Sequence, residues 1–189
     1  MRRFWHRLSG LSIVCNLSNQ ARLPHKLRTM PAPLLLTLYQ PDIPQNTGTL
    51  LRLCACLDVP AAIVEPAGFP VSDRHFRRSG MDYLDEVTIA RHDSFAAFED
   101  WRRAEGRRLV LLTTKAATAH TAFTFLPGDV LMLGRESAGV PDAVQEIADA
   151  RVRVPMKASM RSLNVAIAGA LVLGEALRQV GWLESGVLA

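Results

Sequence analysis

The chain has 189 residues, a formal net charge of +4, 49% hydrophobic, 21% charged and 6% aromatic residues. That composition fits one globular domain with or without a tail and excludes disorder throughout. Three cysteines, Cys15, Cys54 and Cys56, are too few for a disulfide framework and point to reduced thiols in a cytoplasmic compartment. The longest uncharged apolar run of the C-terminal half, Val165 to Gly174, is about half the roughly 20 residues a membrane span needs, so no membrane partner is expected.

The charge is uneven. Residues 1–33 carry Arg2, Arg3, Arg7, Arg22, Lys26 and Arg28 and no acid, whereas the rest of the chain has 16 basic and 18 acidic residues. Residues 1–33 are expected to be a basic tail, either disordered or the product of a start codon assigned ahead of the true one. An orderly strand pattern begins only a few residues after Met30. Such a tail could also bind RNA or an anionic surface. A targeting peptide is disfavoured, because Leu8 to Val14 makes a poor apolar segment with no clear cleavage site after it.

From Leu34 onward short apolar runs alternate with helical patterns, the signature of an α/β domain with a mainly parallel sheet; residues 34–189 are expected to form that single domain. Strands are expected at Leu34 to Tyr39, Ala61 to Val64, Val87 to Ala90, Leu109 to Thr113, Val130 to Leu133 and Ala150 to Val154, short and continuous as strands covered on both faces should be. Asn46 or Thr47 can cap a first helix whose Leu50, Leu53, Cys54 and Leu57 share an apolar face, with Arg52 pointing away from it. Further helices are expected over about 94–103, from Pro141 to Ala148, and from Leu163 to Val180. The first half of the last helix is apolar on every side, which predicts packing all round, within the fold or across a dimer interface.

Several familiar sites are absent. No two glycines have the spacing of the G-x-G-x-x-G dinucleotide fingerprint. Gly134 and Gly139 have the spacing of a phosphate loop, but Val140 and Pro141 stand where its Lys and Ser or Thr belong. Ser137 does not sit in the G-x-S-x-G elbow of hydrolases. Cys54 and Cys56 fall on different helix faces and no spaced Cys or His completes a metal site, so Cys54 is assigned to the core and no metal is expected.

Three segments remain, each directly after a strand, where open α/β sheets bind ligands: Asn46-Thr-Gly-Thr-Leu-Leu-Arg52; Leu133-Gly-Arg-Glu-Ser-Ala-Gly139; and Val154-Pro-Met156 followed by Arg161-Ser-Leu-Asn164. Taken singly, each has a plain structural reading that stays open: glycines for turns, Asn46 and Ser162 as helix caps, Arg52 as a solvated charge. Together and in this order they resemble the three motifs of the SPOUT (trefoil-knot) RNA methyltransferases, N-x-G-x-x-x-R, L-G-x-E-x-x-G and P-M followed by S-x-N. The resemblance covers Leu34 to about Leu183. The phrases Tyr39 to Gly48, Glu65 to Phe69, Arg77 to Tyr83 and Leu112 to Lys115 are similar to those of the subgroup that 2′-O-methylates the wobble nucleotide, cytidine or uridine 34, of tRNA. Arg135 departs from it, standing where these enzymes often have proline.

The resemblance implies a C-terminal trefoil knot that holds S-adenosylmethionine through backbone groups, here of Leu112, Gly134, Val154 and Ser162. It implies a homodimer in which first-motif residues complete the partner's site, and the anticodon stem-loop of tRNA as substrate. It assigns the reaction, in-line attack of a ribose 2′-hydroxyl on the sulfonium methyl, to Arg52, Asn46, Glu136 and Asn164. The family's motif arginine has been proposed as the proton acceptor, but a guanidinium is not deprotonated in proteins. Arg52 is therefore expected to orient phosphate and ribose. Arg77, Arg78, Lys115 and Arg161 are candidate phosphate contacts. The competing readings are methylation of another tRNA position or of ribosomal RNA, and a knotted RNA-binding module without turnover.

Overall fold

In the computed structural model, which describes residues 11–13, 33–70, 86–185 and 188, the apolar runs pair into one sheet. Its strands, in chain order, are β1 (Leu11–Ile13), β2 (Leu35–Tyr39), β3 (Ala61–Val64), β4 (Ile89–His92), β5 (Leu109–Leu112), β6 (Thr118–Ala119), β7 (Val130–Leu133) and β8 (Ala150–Arg153). Their order across the sheet is β1-β4-β3-β2-β7-β5-β8-β6, with β1 antiparallel and every other pairing parallel. The helices are α1 (Pro44–Cys56), α2 (Phe95–Ala104), α3 (Asp142–Ile147) and α4 (Val165–Gln179). The expected α/β class with a mainly parallel sheet is what forms. Apart from Leu11–Ile13, the tail expected over 1–33 lies outside the described residues.

Alternate residues of each strand face opposite sides, and each side is covered. Leu36, Leu38, Ile63, Leu131, Leu133 and Val152 pack toward α1 and α4. Leu35, Val64, Leu109, Leu111, Val130 and Met132 pack toward α2 and α3 around Phe98 and Val144. This double cover is why β2, β3 and β7 are buried at every residue. Cys54 is fully buried in the first layer and Cys56 is exposed, as their helical spacing requires. Gly169 of α4 is needed for close approach, because a Cβ there would lie 2.7 Å from Leu50 Cδ2 and 2.9 Å from Leu133 Cδ1. The C-terminal end of α4 is tied to that of α1 by the Trp182 indole, which donates to the Leu57 carbonyl at 2.9 Å.

Two expectations are corrected. The third strand runs over Ile89–His92 rather than from Val87 to Ala90, because Arg91 is held by Glu65 and His92 is buried against Phe98 and Trp101, so polar residues continue the strand. Helix α1 is capped by neither Asn46 nor Thr47: Pro44 opens it, with Ile43 at the cap position and no side-chain cap. Proline is pre-set for a first helical position, and the Asn46 side chain is thereby left for another task. Helix α4, expected to pack all round within the fold or across a dimer interface, leaves Ile167 and Leu171 54% and 46% exposed within one chain. Strands β1 and β6 had no expectation; with three and two residues, they are too short to carry a periodic signal.

His92 is fully buried between aromatic rings, and neither ring nitrogen has a hydrogen-bond partner among the described residues. Burial lowers its pKa below the ordinary 6.5, and the charge of Asp93 opposes this more weakly. The folded state thus refuses a proton that the unfolded chain accepts, and stability is lost as pH falls below 6.5. Chemical denaturation of wild type and His92→Phe between pH 7.5 and 5 is expected to show a loss in wild type alone, of at most about 1.4 kcal/mol per pH unit.

Candidate active site

Strands β2, β3 and β4 progress outward from the sheet centre, and the chain then crosses to build β5, β7 and β8 on the other side of β2. Loops leaving the C-terminal ends of strands on either side of such a reversal diverge and open a crevice. Here it is a cavity of about 440 Å³, within the range of roughly 300–1,000 Å³ common for small-molecule sites. Its walls come from the segments after β2, β5, β7 and β8 and from the start of α4, including Asn46, Leu112, Gly134, Glu136, Val154 and Asn164.

The three sequence segments are joined there by side chains. Asn164 caps α4, its Oδ1 accepting from the amides of Ala166 at 2.8 Å and Ile167 at 3.3 Å. Its Nδ2 donates to Asn46 Oδ1 at 2.9 Å, and Asn46 Nδ2 donates to Glu136 Oε1 at 3.2 Å. Glu136 Oε2 accepts from the Asp42 amide at 3.1 Å, while Asp42 Oδ1 accepts from the Glu136 amide at 3.0 Å. Asp42 Oδ2 also accepts from the Ser137 amide at 3.3 Å and from the Ser137 hydroxyl. Each asparagine thus uses both ends of its amide, so their orientations are set by the network.

Asp42 was missed by sequence reasoning. It lies in the quoted phrase Tyr39 to Gly48, but an acid in a proline-bearing loop carries no spacing signal of its own. Its pKa is pushed down to about 2, first by the neighbouring Glu136 carboxyl and then by the Ser137 hydroxyl and the two amides. Burial first, and the Asp42 carboxyl second, push that of Glu136 up. Two adjacent carboxyls cannot both ionise cheaply, so Asp42 holds the charge and Glu136 the proton when the pair titrates.

Seven of the eight predicted site residues line the cavity: Asn46, Glu136, Asn164, Leu112, Gly134, Val154 and Ser162. Arg52 does not. It sits on the exposed face of α1, six residues after Asn46, which is about 9 Å along the axis and roughly 120° around it. Gly134 is needed by the loop itself, since a Cβ there would come within 2.7 Å of the Gly139 carbonyl carbon across the Arg135–Gly139 bridge. Lys115 lies 3.9 Å from Asp142 in a well-exposed pair. Arg77 and Arg78 lie outside the described residues. Among the described residues no group of three or more His, Cys, Asp or Glu is placed to hold a metal ion, and no helix is long and apolar enough to cross a membrane.

Replacing the Asp42 carboxylate by an amide removes charge-assisted bonds to three donors, a loss of about 1–2 kcal/mol after allowing for partial exposure. Because the folded pKa is depressed to about 2 from 3.8, that contribution is present above pH 3.8 and lost as pH falls through 2. The stability difference between wild type and Asp42→Asn, measured by denaturant titration, is therefore expected to shrink as pH falls below 4.

This geometry has known counterparts. A protein of Beijerinckia indica subsp. indica named tRNA (cytidine(34)-2′-O)-methyltransferase is 70% identical over 149 residues, covering 79% of this chain and 93% of its own. A solved structure described as giving structural insights into the 2-OH methylation of C/U34 on tRNA superposes with a TM-score of 0.74 at 37% identity, over 78% of this chain and 95% of that one. The SpoU methyltransferase AviRb from Streptomyces viridochromogenes, solved in complex with AdoMet, gives a TM-score of 0.72 at 28% identity, over 82% of this chain and 64% of that one. Residues 33–174 match the SpoU rRNA Methylase family, and the chain belongs to that family.

Proposed function

We propose that the domain spanning residues 34–189 transfers the methyl group of S-adenosylmethionine to the ribose 2′-hydroxyl of nucleotide 34 in the tRNA anticodon loop. The observation that carries this reading is the hydrogen-bonded series Asn164–Asn46–Glu136, which brings the three separate motifs onto one cavity at the reversal of the sheet. The 70% identical relative bears the corresponding name, which supports the position as well as the reaction. A cytoplasmic location follows from a tRNA substrate.

The cavity suits S-adenosylmethionine by its chemistry. Leu112, Leu133, Val152 and Val154 offer apolar walls for an adenosine, and Asn46, Ser162 and Asn164 offer polar groups beside them. The cofactor would supply the methyl group there. Backbone groups of Leu112, Gly134, Val154 and Ser162 would hold it, with the segment 154–164 threaded as the knot that the family resemblance implies. Asn46 and Glu136 would orient the ribose; their fixed hydrogen bonds pre-pay the cost of alignment, the main resource of a displacement without a metal.

Arg52 would act on the second active site of a homodimer. Within one chain it lies outside the cavity, and the exposed Leu163, Ile167 and Leu171 of the α4 region, at 40%, 54% and 46%, form a stripe at helical spacing that a partner would cover. Its planar fork would hold the substrate phosphate in a geometry that lysine cannot copy.

Labelled-methyl transfer to unmodified tRNA, with the product located by nuclease digestion and mass spectrometry, tests the reading. Wild type is expected to modify nucleotide 34. Arg52→Ala is expected to lose at least about a hundredfold in rate, a cost of about 2.7 kcal/mol, with cofactor affinity unchanged. Mixed dimers of Arg52→Ala and Glu136→Ala chains are expected to regain activity at one site in two, and no recovery would refute action across the dimer. Leu171→Glu is expected to give monomers by sedimentation. Transfer to ribosomal RNA alone would overturn the assignment of the substrate.

A further inference from the structure

Between Asp149 and Glu175 the sequence has no acidic residue, yet it has Arg151, Arg153, Lys157 and Arg161. All four are exposed, and among the described residues none has an ion pair or side-chain hydrogen bond. The other described cations are engaged. Arg91, Arg102, Arg103, Arg108 and Arg178 meet carboxylates, Arg107 stacks over Trp101, and Lys115 and Arg135 stand 3.9 and 4.0 Å from acids. Unpaired cations gathered in one segment, where the other described cations are engaged, call for an anionic partner.

The fold places them beside the cavity. In β8, Val152 is buried on the α1/α4 side, so Arg151 and Arg153 stand together on the opposite face, about 7 Å apart along the strand. Arg151 lies level with Leu111 of β5 and Arg153 level with Ala119 of β6. Arg153 itself lines the cavity, Lys157 directly follows the lining residue Met156, and Arg161 directly precedes the lining residue Ser162. The series therefore runs from the sheet face to the rim of the cavity and along it.

We propose that Arg151, Arg153, Lys157 and Arg161 form a track for the RNA backbone, binding the phosphates that flank the nucleotide being methylated. This inference rests on the tRNA methyltransferase reading and adds the surface that delivers the substrate. The occupant is a single-stranded loop backbone: Arg153 lines the cavity, where the reactive ribose must enter, Lys157 and Arg161 adjoin its lining residues, and contacts to phosphate position a strand without reading its bases. An exposed guanidinium or ammonium then releases a counterion at each phosphate it meets.

The test is the affinity of the full chain for a synthetic, unmodified 17-nucleotide anticodon stem-loop, measured by fluorescence anisotropy at a series of KCl concentrations. The double variant Arg151→Gln/Lys157→Gln touches neither the Asp42–Glu136–Asn46–Asn164 network nor the cavity lining. Relative to wild type, its slope of log K against log salt is expected to fall by about 1.4, at roughly 0.7 for each phosphate no longer neutralised. At 0.1 M salt its Kd is expected to rise roughly tenfold. KM for the RNA should rise with it, while kcat at saturating RNA and affinity for S-adenosylmethionine stay within about twofold of wild type. Melting temperatures should match, because exposed charges away from any network contribute little to stability. A salt slope equal to that of wild type, or competition by polyglutamate as effective as that by polyuridylate, overturns the track. The binding measurement is independent of turnover: wild type that shows the steeper slope but transfers no methyl group to nucleotide 34 refutes the methyltransferase reading and upholds the track.

Discussion

The site depends on one set of hydrogen bonds, the reciprocal pair between Asp42 and Glu136, each accepting from the other's backbone amide at 3.0–3.1 Å. It fastens the loop after β2 to the loop after β7, two segments 94 residues apart in sequence. With those loops fastened, Glu136 Oε1 is placed to accept from Asn46, and Asn46 to accept from Asn164. The same Asn164 side chain closes the amides that begin α4. A cap, a loop clamp and the wall of a cavity are thus one connected network, and loss of any member leaves partly buried polar groups without partners.

That network also explains the division of labour between two adjacent carboxyls. The Glu136 carboxyl first, and then the Ser137 hydroxyl and two amides, favour the charged form of Asp42, whereas burial first and the Asp42 carboxyl second disfavour that of Glu136. Environment alone separates two groups of the same chemistry. The carboxyl with the raised pKa is therefore the one that lines the cavity.

The outer face of α4 and the exposed face of β8 make a second contrast. Both carry residues that a single chain leaves unused, apolar on α4 and cationic on β8. A stripe of leucine and isoleucine calls for an apolar cover, whereas unpaired arginine and lysine attract anions. The cavity is walled by the start of α4 and the segment after β8, so both surfaces border it.

Much of this was legible in the sequence. The continuous apolar runs announced strands covered on both faces, and β3 and β7 have the predicted bounds, because each is an unbroken apolar run, flanked by Pro60 and Glu65 and by Asp129 and Gly134. Three motifs, each after a strand, pointed to one place, and seven of the eight residues expected there line a single cavity, because the end of a parallel strand is where backbone and side chains are left over for a ligand. Other features belonged to the tertiary structure. His92 and Arg91 join β4 only because aromatic rings and Glu65 receive them. Pro44 rather than Asn46 opens α1, and Asn46 turns to Glu136 only once folding has brought that residue near. Asp42 acquires its role the same way, and Arg52 is separated from the cavity by the turn of a helix. Local pattern and propensity decide which segments form strands and helices, while pairings between residues 90 to 118 positions apart leave no periodic trace and exist only when the sheet has chosen its order.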